Sequence, residues 1–245
     1  MCCCRNKFMS LENEIPKEII QPIKRWNYLL FIFIFFQIIG WYLALYHIGA
    51  DTDQGNVYRI IFVHVPVAWC AFFWVFLSAF FAILTLLNPQ KSEIFDRSSH
   101  TAIELGTLFS VLMLITGSVW GKPTWGVWWD WDPRLTSSLV MFLICCGYLV
   151  LRHFTPDIRT RRNIAAIVSI LSAVNVPIVY YSVNLWRSVH QPQTFVEKAK
   201  NVSSDISIVL LFNFAAMFLL SIAIYKIRRQ SISAKETLEY VRGEQ

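Results

Sequence analysis

Half of the ten tryptophans in this chain lie within residues 120–132, which read WGKPTWGVWWDWD. The five are Trp120, Trp125, Trp128, Trp129 and Trp131. Glycine, proline and acidic residues separate them, and these residue types break helices and resist burial. Two or three scattered tryptophans near membrane ends usually belong to the interfacial belt. A cluster of this density favours a flat aromatic platform for a flat ligand instead.

Two histidines supply a second kind of chemistry. His64 lies in YRIIFVHVPVAW, and His190 lies in NLWRSVHQP, four residues after Trp186. Neutral imidazole is a common ligand of iron, and a flat macrocycle needs flat aromatic surface, so histidine and tryptophan together indicate haem. The alternative for each histidine alone is an ordinary hydrogen bond to the backbone. His47 is a weaker candidate, because no motif surrounds it.

Charged residues near the tryptophan stretch each have two interpretations. Four basic residues could anchor the chain at a membrane interface or bind the propionates of a haem. They are Arg59, Lys122, Arg134 and Arg187. The pair Asp132-Pro133 predicts the start of a helix, with Asp132 as its N-cap. Glu104 lies within an apolar run, where a carboxylate either faces a partner or reaches water at the helix end.

The elements that position these residues must be membrane-spanning helices. The 245 residues are 56% hydrophobic and 16% charged, whereas soluble domains carry about a quarter charged residues. Six apolar runs are long enough to cross a hydrocarbon core of about 30 Å. They are 28–49, 66–87, 102–119, 135–151, 164–185 and 206–225. Because a spanning backbone must satisfy its own hydrogen bonds, we predict an all-α, polytopic membrane protein with six transmembrane helices.

Basic residues predict how these six spans are oriented. Sixteen Lys and Arg residues lie in the N-terminal segment, the loops 88–101 and 152–163 and the C-terminal tail, against six in the other loops. This bias predicts that both termini are cytoplasmic and that the tryptophan stretch lies outside. We therefore predict a cytoplasmic segment 1–27, a transmembrane domain 28–225 with an outer loop 120–133, and a cytoplasmic tail 226–245. Pro66 either ends an interfacial segment or kinks a longer helix.

Several functional classes lack their motifs in this sequence. There is no G-x-x-x-x-G-K-[ST] for a P-loop ATPase and no C-x-x-C-H for covalent attachment of haem to this chain. The net charge of +6 follows from the membrane topology, and no basic stripe with interleaved aromatics indicates nucleic acid.

Three separated segments carry a resemblance to a known family. WGKPTWGVWWDWDPRLTS resembles the WWD signature of the haem-handling proteins. YRIIFVHVPVAW and NVPIVYYSVNLWRSVHQP resemble the histidine segments of one branch, haem exporter protein C of cytochrome c maturation. The six-span layout agrees over most of residues 25–225. The resemblance implies that His64 and His190 are axial ligands of haem and that Trp120–Asp132 is its platform. We therefore predict a haem b, bound non-covalently and transiently, with Arg59 and Arg134 as candidate partners at its rim.

The resemblance also implies partners and a location. Proteins of this branch act beside the ATPase subunit and second membrane subunit of an ABC transporter and a small single-span helper protein. They present haem to a membrane-anchored periplasmic haem chaperone, the E component. We accordingly expect a lipid-embedded, multi-pass protein of the bacterial inner (plasma) membrane, with the mitochondrial inner membrane as the second choice. We expect no enzymatic step.

Other functions remain open at this point. A cytochrome c haem lyase would be an enzyme, although lyase-type WWD proteins tend to be longer and to carry additional histidines. A permease for haem or another solute should place polar residues along several spans, and here Glu104, Asn175 and Asn184 are few. An electron-transfer cytochrome b usually places its histidine pairs within the membrane rather than at its edge.

Overall fold

The computed structural model describes residues 17–186 and 204–242, and most of these residues belong to six long α-helices. We number them α1 (Lys17–Tyr42), α2 (Ile61–Leu87), α3 (Ser92–Trp125), α4 (Pro133–Phe154), α5 (Ile158–Leu185) and α6 (Ser204–Arg242). Three short segments accompany them: a π-helical segment, Leu43–His47, and the 3-10 helices Asn56–Ile60 and Pro89–Lys91. Among the described residues, six helical stretches are long and apolar enough to cross a membrane; the first runs from Leu30 of α1 through the π-helical segment to His47, and the other five fall mainly within α2 to α6. The prediction of an all-α, six-span membrane protein is confirmed.

Helices α2 to α6 extend beyond the apolar runs that predicted them. Pro66 lies inside α2, so the continuous helix was the correct alternative, and a short 3-10 helix precedes it. The predicted N-cap is also confirmed, because the carboxylate of Asp132 accepts the backbone N–H of Arg134 at 2.9 Å. The charged tail continues α6 as a helix to Arg242.

Only about half of the tryptophan stretch forms a loop. The predicted outer loop 120–133 is helical at both ends, because α3 continues to Trp125 and α4 begins at Pro133. Pro123 does not stop α3; Gly126 does, at a φ of 82° that suits glycine. Its N–H donates to the carbonyl of Lys122 at 3.0 Å, and the Lys122 ammonium donates back to the Gly126 carbonyl at 2.8 Å. The non-helical segment is therefore 126–132.

Helix α2 lies at the centre of the bundle and packs against α3, α5 and α6, while α4 packs on α5 and α1 on α6. Small residues allow close approach: a Cβ on Gly106 of α3 would lie 2.9 Å from a methyl group of Val75 in α2. Buried serines are satisfied across helices. The Ser78 hydroxyl lies 2.7 Å from that of Ser169 and donates to the Ser99 carbonyl at 2.9 Å.

The alternating helix directions give the bundle two different ends. The tryptophan end carries the start of α2, the end of α3 and the segment 126–132. The charged end carries the start of α3, where Asp96 forms a two-pronged ion pair with Arg152 of α4 at 2.8 and 2.7 Å. Glu104 pairs in the same way with Arg228 of α6 at 2.6 and 2.7 Å. Of its two predicted interpretations, Glu104 therefore follows the one in which it faces a partner.

Candidate functional site

His64 stands beside the first tryptophan of the stretch. It lies in the first turn of α2, and its ring centroid is 5.8 Å from that of Trp120 on α3, at an interplanar angle of 67°. Its Nδ1 lies 2.9 Å from the hydroxyl oxygen of Thr116. Thr116 and Trp120 are four residues apart, so they share one face of α3, and His64 packs on that face.

A glycine makes room for the imidazole. Gly117 is buried on α3, and a Cβ built there would lie 3.2 Å from Cε1 of His64 and 3.8 Å from its Nδ1. A methyl group at this position would press on the ring. The absence of a side chain at Gly117 therefore lets the His64 ring lie directly on the helix surface between Thr116 and Trp120.

A tight loop holds Trp120 from the other side. The indole N–H of Trp120 donates to the side-chain oxygen of Gln54 at 2.9 Å. Gln54 belongs to a turn that is closed by the bridge between Asp51 and Gly55. The Asp51 carboxylate accepts the backbone N–H groups of Asp53 and Gln54 at 2.9 and 2.8 Å, which fixes the turn. The orientation of Trp120 thus depends on a loop distant in sequence.

The second tryptophan folds back on its own helix. A Cβ on Gly121 would lie 3.0 Å from Cε3 of Trp125 and 3.3 Å from the carbonyl of Val127. A side chain at Gly121 would therefore push on the Trp125 ring and on the Val127 carbonyl, and glycine lets both lie close to α3. This glycine serves close packing within the helix rather than ending it.

The last three tryptophans lie in the segment 126–132, where the chain is not helical. Trp129 and Trp131 make an edge contact, with ring centroids 5.8 Å apart and planes at 83°. Trp128 and Trp131 are 59% and 73% exposed. Indoles with this exposure are available to the membrane interface or to another molecule that covers them.

The predicted rim residues are tied to backbone carbonyls. Arg59 donates from Nη2 to the carbonyl of Ile48 at 2.9 Å, while its Nε is buried without a hydrogen-bond partner among the described residues. Arg134 directs Nη2 to the carbonyl of Tyr180 at 3.4 Å. Asp132 is buried at the start of α4. The two arginines come from the 3-10 helix before α2 and from the first turn of α4, so they approach the tryptophan end from different elements.

The second predicted histidine follows the end of α5. His190, like Arg187, lies outside the described residues, and so the predicted convergence of His64 and His190 stays a prediction. Trp186 is described, caps the end of α5 and is exposed. His47 is exposed in the π-helical segment.

Sequence reasoning did not identify Thr116, Gly117 or Gln54. The signal for the first two was their spacing of four and three residues before Trp120, which places all three on one helical face. That signal was missed because Trp120 was assigned to a loop. Gln54 had no local signal, since its contact with Trp120 spans 66 positions.

The described side chains bring one imidazole, that of His64, onto an aromatic surface at the tryptophan end. Among them, no group of three or more His, Cys, Asp or Glu could hold a metal ion. An iron porphyrin brings its own four nitrogen ligands and asks the protein for only one or two. One imidazole on an aromatic surface meets that requirement.

Comparisons with known proteins agree with this chemistry. A family model described as "Heme exporter protein C" matches residues 11–241. A protein of Marchantia polymorpha named "Putative cytochrome c biosynthesis ccmC-like mitochondrial protein" is 37% identical over 180 residues, which cover 74% of this chain and 75% of the relative. A protein of Arabidopsis thaliana with the same name is 34% identical over 78% of this chain and 72% of its own length. The "Heme exporter protein C" of Escherichia coli K12 is 37% identical over 66% of this chain and 65% of its own length.

Proposed function

This chain belongs to the haem exporter protein C family, and we propose that it binds haem at the tryptophan end of its helix bundle during cytochrome c maturation. Haem is the cargo, a non-covalently held haem b that must later leave. The observation that carries the proposal is the seating of His64 on Gly117, between Thr116 and the indole of Trp120. An imidazole beside a large aromatic ring at a membrane edge is suited to bind the iron of a flat macrocycle.

In this proposal, His64 and His190 bind the iron from its two faces. Trp120, Trp125, Trp128, Trp129 and Trp131 provide the platform for the ring. Each aromatic contact adds about 0.5–1.5 kcal/mol beyond area burial, so several contacts can hold the ring while one iron–imidazole bond is exchanged. The exposure of Trp128 and Trp131 supports this assignment, because a bound ring would cover them.

Arg59 and Arg134 are the proposed partners of the haem propionates. A guanidinium binds a carboxylate through charge-assisted, often paired, hydrogen bonds. The buried Nε of Arg59 without a hydrogen-bond partner supports this role, because a buried donor is costly unless something accepts its proton. Asp132 contributes indirectly, by fixing the first turn of α4 and thus the position of Arg134.

We further propose that the site hands its cargo to an acceptor on the outer side of the bacterial inner membrane. The acceptor would be a periplasmic haem chaperone, and the chain would work with the two kinds of subunit of an ABC transporter and a small single-span helper. The positive-inside bias supports the outer location of the tryptophan end. No bond within the cargo needs to be made or broken, so we assign no enzymatic step.

Spectra of the purified full-length chain test the ligand assignment. The wild type, produced with a supply of haem, is expected to show a haem spectrum that changes in His64→Ala and in His190→Ala. His47→Ala is the matched control, because His47 is exposed at the same end of the bundle. A wild type without haem, or equal effects of His47→Ala and His64→Ala, would overturn the proposal.

A further inference from the structure

The hydroxyl of Thr116 is engaged on two sides. Its oxygen lies 2.8 Å from the carbonyl of Leu112, one turn earlier in α3, and 3.2 Å from the carbonyl of Met113. The same oxygen lies 2.9 Å from Nδ1 of His64. Carbonyl oxygens only accept hydrogen bonds, and a hydroxyl has a single proton. Both contacts are hydrogen bonds only if Thr116 gives its proton to its own helix and accepts one from His64; a proton given to His64 would leave the contact with the Leu112 carbonyl without a hydrogen.

The arrangement that makes both hydrogen bonds defines one state of the imidazole. With Thr116 as acceptor, Nδ1 of His64 must carry the hydrogen, and in a neutral ring the lone pair then lies on Nε2. Nε2 is the nitrogen on the far side of the ring from Nδ1, so the ring is prepared to bind a metal on the side away from Thr116. Gly117 supports this orientation, because it lets the His64 ring lie against α3 with Nδ1 next to Thr116.

We propose that Thr116 is a positioning residue, which holds His64 as the Nδ1–H tautomer and thereby presents Nε2 to the iron. This inference rests on the proposed function, since it takes His64 as an iron ligand. A metal-bound histidine commonly donates its other ring N–H to a carboxylate, carbonyl or water, which orients the ring and raises its basicity. A hydroxyl acceptor is uncharged, so it orients His64 with a smaller rise in basicity than a carboxylate would give.

The first experiment needs no haem. The full-length chain is labelled with ¹⁵N-histidine, and its spectrum is recorded in detergent at a pH above the ordinary imidazole range. Subtracting the spectrum of His64→Gln isolates the two ring nitrogens of His64 from those of the other four histidines. We expect a protonated Nδ1 and an unprotonated Nε2 in the wild type and in Thr116→Ser, and a mixture of tautomers in Thr116→Val. An unprotonated Nδ1 in the wild type would overturn the inference.

The second experiment uses the haem-loaded chain. Thr116→Val is expected to weaken haem retention about 10-fold, the lower end of the usual effect of removing such a partner. It should also shift the midpoint potential of the haem to a more positive value, because a less basic imidazole stabilises ferric iron less. Thr116→Ser, which keeps the acceptor, should restore both properties. Thr107→Val is the matched control, because the Thr107 hydroxyl makes the same bond to its own helix, at 2.7 Å, on another part of α3.

The two proposals fail in different ways. Loss of haem from the wild type would contradict the proposed function, while the tautomer measurement would still stand. A wild type that binds haem, with no change of potential or retention in Thr116→Val, would contradict the positioning role alone. Equal changes in Thr107→Val and Thr116→Val would assign the effect to the stability of α3 and would also overturn the positioning role.

Discussion

The indole nitrogen of Trp120 donates a hydrogen bond of 2.9 Å to the side-chain oxygen of Gln54, 66 positions earlier in the chain. This bond joins the turn before α2 to the end of α3, and it fixes the indole that makes edge contact with His64. The tryptophan stretch is therefore anchored by a loop in which no tryptophan occurs. The consequence is that haem binding should depend on residues outside the stretch.

Gln54→Ala tests this dependence. A typical hydrogen bond contributes about 0.5–1.5 kcal/mol, so its loss should weaken haem retention by roughly 2- to 10-fold if Trp120 belongs to the platform. Retention can be measured by transfer of haem to an excess of an apoprotein acceptor. Gln54→Glu keeps an acceptor for the indole and should behave like the wild type. Unchanged retention in Gln54→Ala would argue against a role for the Trp120 orientation.

Gly117→Ala should disturb the iron ligand directly. The added Cβ would lie 3.2 Å from Cε1 of His64, so the ring or α2 must shift, and the absorption spectrum of bound haem should change. Gly147→Ala on α4 is the control, since a Cβ at Gly147 meets nothing within 4 Å. Identical spectra for the Gly117→Ala and Gly147→Ala chains would contradict the assignment of His64.

Trp131→Ala should reduce haem retention without reducing folding stability. Trp131 is 73% exposed, so its removal leaves no cavity in the core. Loss of one aromatic contact of about 0.5–1.5 kcal/mol corresponds to roughly 2- to 10-fold faster loss of haem. Trp41→Ala on α1 provides the comparison, because that indole is 47% exposed but lies outside the proposed platform. Equal retention in the Trp131→Ala and Trp41→Ala chains would remove Trp131 from the platform.

Substitutions at the charged end should lower the stability of the fold and leave the haem spectrum unchanged. Arg152→Ala leaves Asp96 without its two-pronged partner, and the Asp96 side chain is only 8% exposed. Breaking a buried pair costs up to about 3–5 kcal/mol, and the Arg162 guanidinium, 3.8 Å from Asp96, offsets part of this loss, so the chain should still unfold at a lower temperature in detergent. Arg228→Ala should cost less, because the Arg228 and Glu104 side chains are 47% and 21% exposed and their pair is less buried than that of Asp96. A changed haem spectrum in either variant would contradict the separation of the two ends.

The sequence predicted the helices better than it predicted their ends. Six apolar runs were sufficient for six spans, because a membrane core requires continuous hydrogen-bonded helices. The limits of α3 were not predictable from Gly121 and Pro123, which are ordinary helix breakers. Gly121 is accommodated because Trp125 covers it, and only Gly126, with its positive φ, ends the helix. Local propensity was overruled by packing.

The sequence likewise predicted some residues of the candidate site and not others. Residue type and family resemblance were enough to single out His64 and the tryptophans, because an imidazole can bind iron and an indole can stack on a ring whatever their neighbours are. The partners that orient them were not visible: the Thr116 hydroxyl and the Gln54 amide matter only through contacts made across helices. Such contacts depend on how α2 approaches α3, and Gly106 and Gly117 determine that distance without any chemistry of their own.

The interactions that link the helices differ between the two ends of the bundle. Between described residues, the ion pairs lie at the charged end, where they tie α3 to α4, α5 and α6. At the other end, the described contacts of His64 and Trp120 are a ring contact between them and hydrogen bonds to the uncharged side chains of Thr116 and Gln54. Thermal opening should therefore begin at the tryptophan end, while the ion pairs at the charged end keep the helices together. Amide hydrogen exchange along α3 should accordingly be faster near Trp120 than near Asp96, and a porphyrin could enter or leave without unfolding the frame that carries it.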